Sequence, residues 1–292
     1  MSIESFIRVP NPPPPMSWEE YERIVLTDWD TLLGSIREGE EKRVQEFLET
    51  HPCIIPGAYS FPLPSGHYPF PAAVISQPPL KGLTTKRPDF LWLGTDSGTF
   101  HVVLVEIESP TKQWFTKKGV PHSSLTQAQA QLASWKQWFD VPENKAIFLK
   151  SYKVPPSLLE KAFNLVCVLV YGRRSEFEGA PALSALRRQL ERPGEHLMTF
   201  DRLFPDPKSK DLMCVRLTES FQGTHYEAIS IPPTLHLTNY LAPQRSLITK
   251  REEVVQQSTR LTKERKAFLL ERFPYWDNWA KEHRGSYQMY EE

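Results

Sequence analysis

Residues 87–112, RPDFLWLGTDSGTFHVVLVEIESPTK, decide the fold. Two apolar runs, 88–93 and 100–108, flank the turn Gly94-Thr95-Asp96-Ser97-Gly98, which is the pattern of a β-hairpin of central strands. Val102, Val103, Leu104, Val105 and Ile107 make the second strand almost continuously apolar, as expected of a strand covered on both faces. Three carboxylates interrupt this context. Asp89 begins the first strand and Glu106 and Glu108 end the second, so all three reach the same end of the sheet. A side-chain period of two places Glu106 and Glu108 on one face. Carboxylates gathered in this way repel one another unless a cation holds them, and an all-oxygen donor set suits Mg²⁺ or Mn²⁺ rather than zinc.

Working outward, 125–139 has helical spacing, 146–149 and 165–171 are short apolar runs expected as strands, 181–190 is a helix and 197–200 a short strand. Upstream, 53–79 is rich in proline and aromatics without a clear period, an irregular segment with at most short edge strands. A helix over 40–50 buries Val44, Phe47 and Leu48 and stops at His51-Pro52. Before it, Ser17 caps a helix in SWEE, with Glu20 at the capping-box spacing, and the pattern weakens around 27–30. Residues 1–16 form a proline-ended arm. At the other end, 249–272 reads as one long charged helix ending before Phe273-Pro274, followed by Tyr275, Trp276 and Trp279, an aromatic cluster that serves docking or self-association into a dimer or tetramer, with a simple core cap as the equal alternative. The fold class expected is α/β: a mixed central sheet flanked by helices, with helical additions at both ends. The divisions are 1–39 (arm and first helix), 40–220 (core domain) and 221–292 (a helical docking or oligomerisation segment).

Composition narrows the function classes. Of 292 residues, 40% are hydrophobic and 24% charged, which supports a packed core, and 35 basic against 35 acidic residues exclude a binder working by bulk positive charge. Cys53, Cys167 and Cys214 are scattered, without the spacing of a disulfide framework or a zinc site. No run suits a signal peptide or a membrane span, so a soluble, cytoplasmic protein with no membrane partner is expected. Gly94–Gly98 lacks the serine of a nucleophile elbow, and no phosphate-binding glycine loop is present.

Pro88-Asp89, Glu106-x-Glu108 and a following helix bearing Gln131 together resemble the PD-(D/E)XK nuclease motif. More narrowly, the chain resembles the nuclease domain of the Shedu anti-phage defence proteins. Six segments carry the resemblance in order: VQEFLETHPCIIPG, RPDFLWLG, VEIESPTKQWFTKKG, LTQAQAQLASWKQWF, LVCVLVYGRR and LMTFDRLF. The resemblance implies a restriction-endonuclease-like core, divalent-metal phosphodiester hydrolysis, invading DNA as target, and a homo-oligomer. It also implies that Asp89 and Glu106 ligate Mg²⁺ or Mn²⁺. Glu41 would supply an outer carboxylate through water, and Gln131 would orient water or phosphate, with Gln127 on the same helix face. The chain departs from the motif at its final lysine, where Glu108 stands. Some restriction-type members also end in Glu-x-Glu, so Glu108 is expected to act as a third ligand or general base, with Lys112 or Lys86 supplying positive charge. The alternative is a catalytically weakened nuclease fold that binds DNA or assembles with partners.

Approach of DNA needs local positive charge beside the acids. Lys86, Arg87, Lys112, Lys117 and Lys118 lie around them in sequence, the latter two in a loop suited to clamp a backbone, and Arg173 and Arg174 follow the strand ending at Tyr171. No groove-reading motif accompanies them, so sequence specificity is not expected.

Overall fold

The computed structural model describes residues 6–59, 67–82, 87–221, 223–283 and 289–292. In chain order, α1 (Trp18–Ser35) and α2 (Glu41–Thr50) precede β1 (Phe70–Ser76), then the hairpin β2 (Phe90–Thr95) and β3 (Thr99–Ile107). Next come α3 (Ser123–Asp140), α4 (Pro142–Ser151), the single turn α5 (Pro156–Leu159), β4 (Ala162–Val170), α6 (Pro181–Gln189) and β5 (Glu195–Met198). The chain continues with β6 (Met213–Ser220), β7 (Gly223–Ser230), the single turn α7 (Ala242–Arg245), β8 (Ile248–Thr249), α8 (Arg251–Gln257) and α9 (Lys263–Glu282). All eight strands form one mixed sheet in the order β5-β4-β3-β2-β1-β6-β7-β8. The mixed α/β architecture expected from the sequence is the one observed.

Alternation along the central hairpin assigns each side of the sheet its helices. Leu91, Leu93, Val102 and Leu104 pack with Leu125, Ala128, Leu132 and Trp135 of α3. Phe90, Trp92, Val103 and Val105 face the other way, onto Tyr21, Val25 and Trp29 of α1 and Val44 and Leu48 of α2. Glu106 has the parity of Leu104 and therefore projects to the α3 side. β3 is buried from Phe100 to Ile107, the two-sided burial its composition requires.

Several elements differ from their sequence expectation. Residues 146–149 are helical, inside α4: Pro142 at its start, Glu143 in the first turn and Lys150 in the last are helix signals that outweigh a four-residue apolar run. Within the segment expected as irregular, β1 is a fully buried strand lying between β2 and β6 rather than at an edge. A strand buried on both faces has no alternation to betray it. The helix α1 runs unbroken through 27–30, and its Ser17 hydroxyl accepts the Glu20 N–H at 3.2 Å.

The long helix expected over 249–272 is two. Thr262 caps the second by accepting the Arg265 N–H, and α9 then continues through Pro274 to Glu282. Trp276 and Trp279 are buried in the main core, with Phe6 and Tyr290 against Trp276. Of the two readings of this cluster, the core cap is the one its packing matches. The boundary drawn at 220/221 falls between paired strands, β6 and β7, so the sheet runs straight across it. The proline arm is tied down: Ile7 N–H donates to the Tyr275 hydroxyl at 2.5 Å, and Arg265 donates to Pro13 O at 2.7 Å.

Candidate active site

Asp89 lies one residue before β2, whose neighbour Phe90 pairs with Val105 on β3 and with Ser76 on β1. Its position is fixed from both sides. Ile107 N–H donates to Asp89 Oδ2 at 2.7 Å, and Gln77 donates through Nε2 to Oδ1 at 3.0 Å. Gln77 also sends its backbone N–H to Asp89 O and holds a left-handed φ of 49°, a conformation a residue with a side chain adopts at some cost. Across the strand pair, Glu106 is buried, stands opposite Asp89 in the hairpin register, and accepts from Gln131 Nε2 at 2.7 Å. Burial raises the Asp89 carboxyl to about 6 and the Glu108 charge adds to this, while the Ile107, Gln77 and Glu106 hydrogen bonds act in the opposite direction. Burial and the neighbouring Glu108 charge both disfavour full ionisation of Asp89.

Glu108 continues the same face but turns to another partner. It forms an ion pair with Lys112, four residues on. Among the described residues the three acids do not form a group with one oxygen from each within 4.8 Å of the others; that geometry is found at Asp211, His236 and Glu291. Lys112 owes its place to Gly172, just beyond β4. Gly172 has φ +56°, and a Cβ there would stand 2.6 Å from Lys112 O and 2.8 Å from Trp114 Nε1. Only glycine permits so close an approach of the two segments. Glu176 completes the frame by accepting the Trp114 and Phe115 N–H groups at 2.8 Å each.

The remaining residues singled out in the sequence are distributed differently. Gln131 reaches Glu106, whereas Gln127 is exposed with no hydrogen bond to the acids; one helical turn, a rise of about 5.4 Å, takes it out of reach. Glu41 is on α2, whose buried residues pack on the opposite sheet face from Glu106, and among the described residues no hydrogen bond or ion pair joins Glu41 to the acids. Lys117 and Lys118 are exposed in a turn closed by Thr116 N–H to Val120 O at 2.8 Å. Arg87 is exposed two residues from Asp89, and Lys86 lies outside the described residues. Arg173 is committed elsewhere: its guanidinium pairs with Asp201 at 2.8 Å and donates to Leu33 O at 3.2 Å. The Arg174 N–H and guanidinium also go to Asp201. Burial works against the Asp201 charge, yet these bonds leave its carboxyl below the usual range.

Sequence reasoning missed Gln77, Gly172 and Glu176. Gly172 carried a usable signal, a glycine directly after a buried strand. Gln77 sits in a stretch without period, and Glu176 is one acid among many.

No curated protein and no solved structure matches this chain. Among the described residues no helix is long and apolar enough to cross a membrane. Residues 38–204, more than half of the 292, match the family described as Shedu protein SduA, C-terminal. The match runs from just before α2 to beyond β5 and contains Asp89, Glu106, Glu108, Lys112 and Gln131, while β6 to α9 lie outside it. The chain belongs to the Shedu protein SduA C-terminal family.

Proposed function

We propose that this protein is a divalent-metal-dependent endonuclease acting on invading DNA, in anti-phage defence, with Asp89 and Glu106 at its hydrolytic centre. The observation that carries the reading is the pairing of these two carboxyls at the end of a buried hairpin, each held by a glutamine amide from another segment. The donor set fits a hard cation: it is all oxygen, and burial together with the Glu108 charge raises Asp89 to about 6. Mg²⁺ or Mn²⁺ held by Asp89 and Glu106 would supply Lewis acidity and lower the pKa of a bound water. Gln131 keeps Glu106 aimed at Asp89, and Gln77 with the Ile107 N–H holds Asp89 in place.

The motif lysine is replaced by an ion pair. Glu108 occupies the lysine position but draws the Lys112 ammonium to itself, so a positive charge stands beside the acids. In this reading Lys112 stabilises charge developing on phosphate, and Glu108 positions Lys112. Arg87, Lys117 and Lys118 are exposed and suited to backbone contacts. The same Glu108 supports a second reading, a fold that binds DNA without cutting it.

Incubating supercoiled plasmid with purified protein in Mg²⁺ or Mn²⁺ tests the proposal. Nicked or linear product that EDTA prevents and Asp89→Asn abolishes supports it. Retention of plasmid in a gel shift, with no cleavage in either metal, favours the second reading instead.

A further inference from the structure

At the opposite end of β6 from Asp89, three segments converge on a second polar cluster. Asp211 precedes β6, His236 lies in the loop after β7, and Glu291 belongs to segment 289–292, bridged to Thr238. His236 Nδ1 stands 3.3 Å from Asp211 Oδ1 and 3.5 Å from Glu291 Oε1, and one ligand atom from each residue lies within 4.8 Å of the others.

His236 Nδ1 is within hydrogen-bond range of Asp211 Oδ1 and ion-pair range of Glu291 Oε1, at separations longer than the about 2.7–2.9 Å of a strong charge-assisted bond. These separations match the edge of a tetrahedron: ligands about 2.0–2.1 Å from a central ion stand about 3.3 Å apart. The ligands are also framed from behind. Asp211 Oδ1 accepts the His236 N–H at 2.7 Å, and buried Arg245 donates to His236 O at 2.6 Å and Asp211 O at 3.0 Å. Asp211 is 3% exposed, whereas His236 and Glu291 border solvent, which leaves a fourth position open to water.

We propose that Asp211, His236 and Glu291 form a second cation site, separate from the Asp89–Glu106 pair, that takes a borderline transition dication such as Zn²⁺ and fastens segment 289–292 to the sheet. One imidazole nitrogen with two carboxylate oxygens is a donor set for Zn²⁺ or Co²⁺ rather than Mg²⁺. The cation must compete with Lys210 Nζ, 3.8 Å from Glu291, and with the Arg245 charge, which together favour moderate affinity. The site stands whether or not the protein is a nuclease.

Untagged protein, stripped with chelator and dialysed, would be titrated with Co²⁺ and followed by visible absorption, with thermal melts in Zn²⁺ alongside. The expected result is one equivalent giving the intense band of tetrahedral Co²⁺, and a melting rise of several degrees in Zn²⁺. The band should vanish in His236→Ala and in Glu291→Gln, and both the band and a melting rise should persist in Asp89→Asn. Glu291 is half exposed, so its variant tests the site even where His236→Ala folds poorly. Absence of the band in wild-type protein, or a band that survives Glu291→Gln, overturns the proposal.

Discussion

Gln131 on α3 donates its side-chain amide to Glu106 on β3 across 2.7 Å, with both residues buried. A helix that otherwise contributes Leu125, Leu132 and Trp135 to the core places one polar group against the sheet, directly at the acid pair. The bond orients the Glu106 carboxyl beside Asp89, its neighbour across the hairpin.

Replacing Gln131 with Leu removes that donor while keeping the volume apolar. A buried carboxyl deprived of its hydrogen bond costs on the order of 1–3 kcal/mol, to be read in urea unfolding. DNA cleavage should fall together with stability. Gln131→Glu, which sets a third carboxylate against the pair, should be worse still in EDTA and recover partly in Mg²⁺. An unchanged unfolding midpoint in Gln131→Leu would show that the bond does not hold Glu106.

Asp89 makes stability depend on pH with an unusual sign. Its carboxyl is raised from 3.8 to about 6, so between roughly pH 4 and 6 the folded chain holds a proton that the unfolded chain has released. Folding takes up a proton in that window, and the contribution, up to about 3 kcal/mol, is lost as pH rises through 6. Asp89→Asn should therefore melt higher than wild type at pH 7.5, with the difference shrinking towards pH 4. Addition of Mg²⁺ should narrow the gap at neutral pH. A difference independent of pH would contradict the shared burial of the pair.

Glu108 and Lys112 can be tested by exchange. Lys112→Met should lower cleavage about 10–100-fold while barely moving the melting temperature, since a partly exposed pair contributes at most about 1 kcal/mol. The swap Glu108→Lys with Lys112→Glu restores a lysine at the motif position and should retain more activity than Lys112→Met. Equal losses in both would mean that the ammonium has no part in turnover.

At Gly172, alanine meets two obstacles, a positive φ and the Lys112 carbonyl 2.6 Å from the new Cβ. Backbone cannot rotate aside as a side chain can, so Gly172→Ala should cost about 1–3 kcal/mol and displace Lys112. Chemical denaturation and single-turnover cleavage should both report it. The same change at Gly119, also at positive φ but with nothing within 4 Å, should affect stability through φ alone and leave turnover intact.

The site was legible to the extent that its parts are local. Asp89, Glu106 and Glu108 lie on one hairpin whose turn and alternation fix their common end, and Gln131 follows from the family resemblance. What could not be read is what long-range packing decides. Gln77 reaches Asp89 because β1 is central, yet PAAVIS carries no alternation to mark a strand buried on both faces. Arg173 and Arg174 look like free cations until Asp201 folds against them. Trp276 and Trp279 look like a docking face until Phe6 and Tyr290 cover them. The swap of Glu108 and Lys112 is visible as two residues, but their pairing needs the approach that Gly172 allows.

The most direct test of the proposed hydrolytic centre is single-turnover cleavage of labelled duplex DNA by Glu106→Gln and wild-type protein in Mg²⁺, with matched DNA binding confirmed beforehand. The side chain keeps its size and can still bond Gln131, so the fold should survive. The account predicts cleavage reduced at least about 100-fold, to the level of wild type in EDTA, since a neutral amide is a poor ligand for a hard cation. Cleavage by Glu106→Gln at the wild-type rate would contradict it.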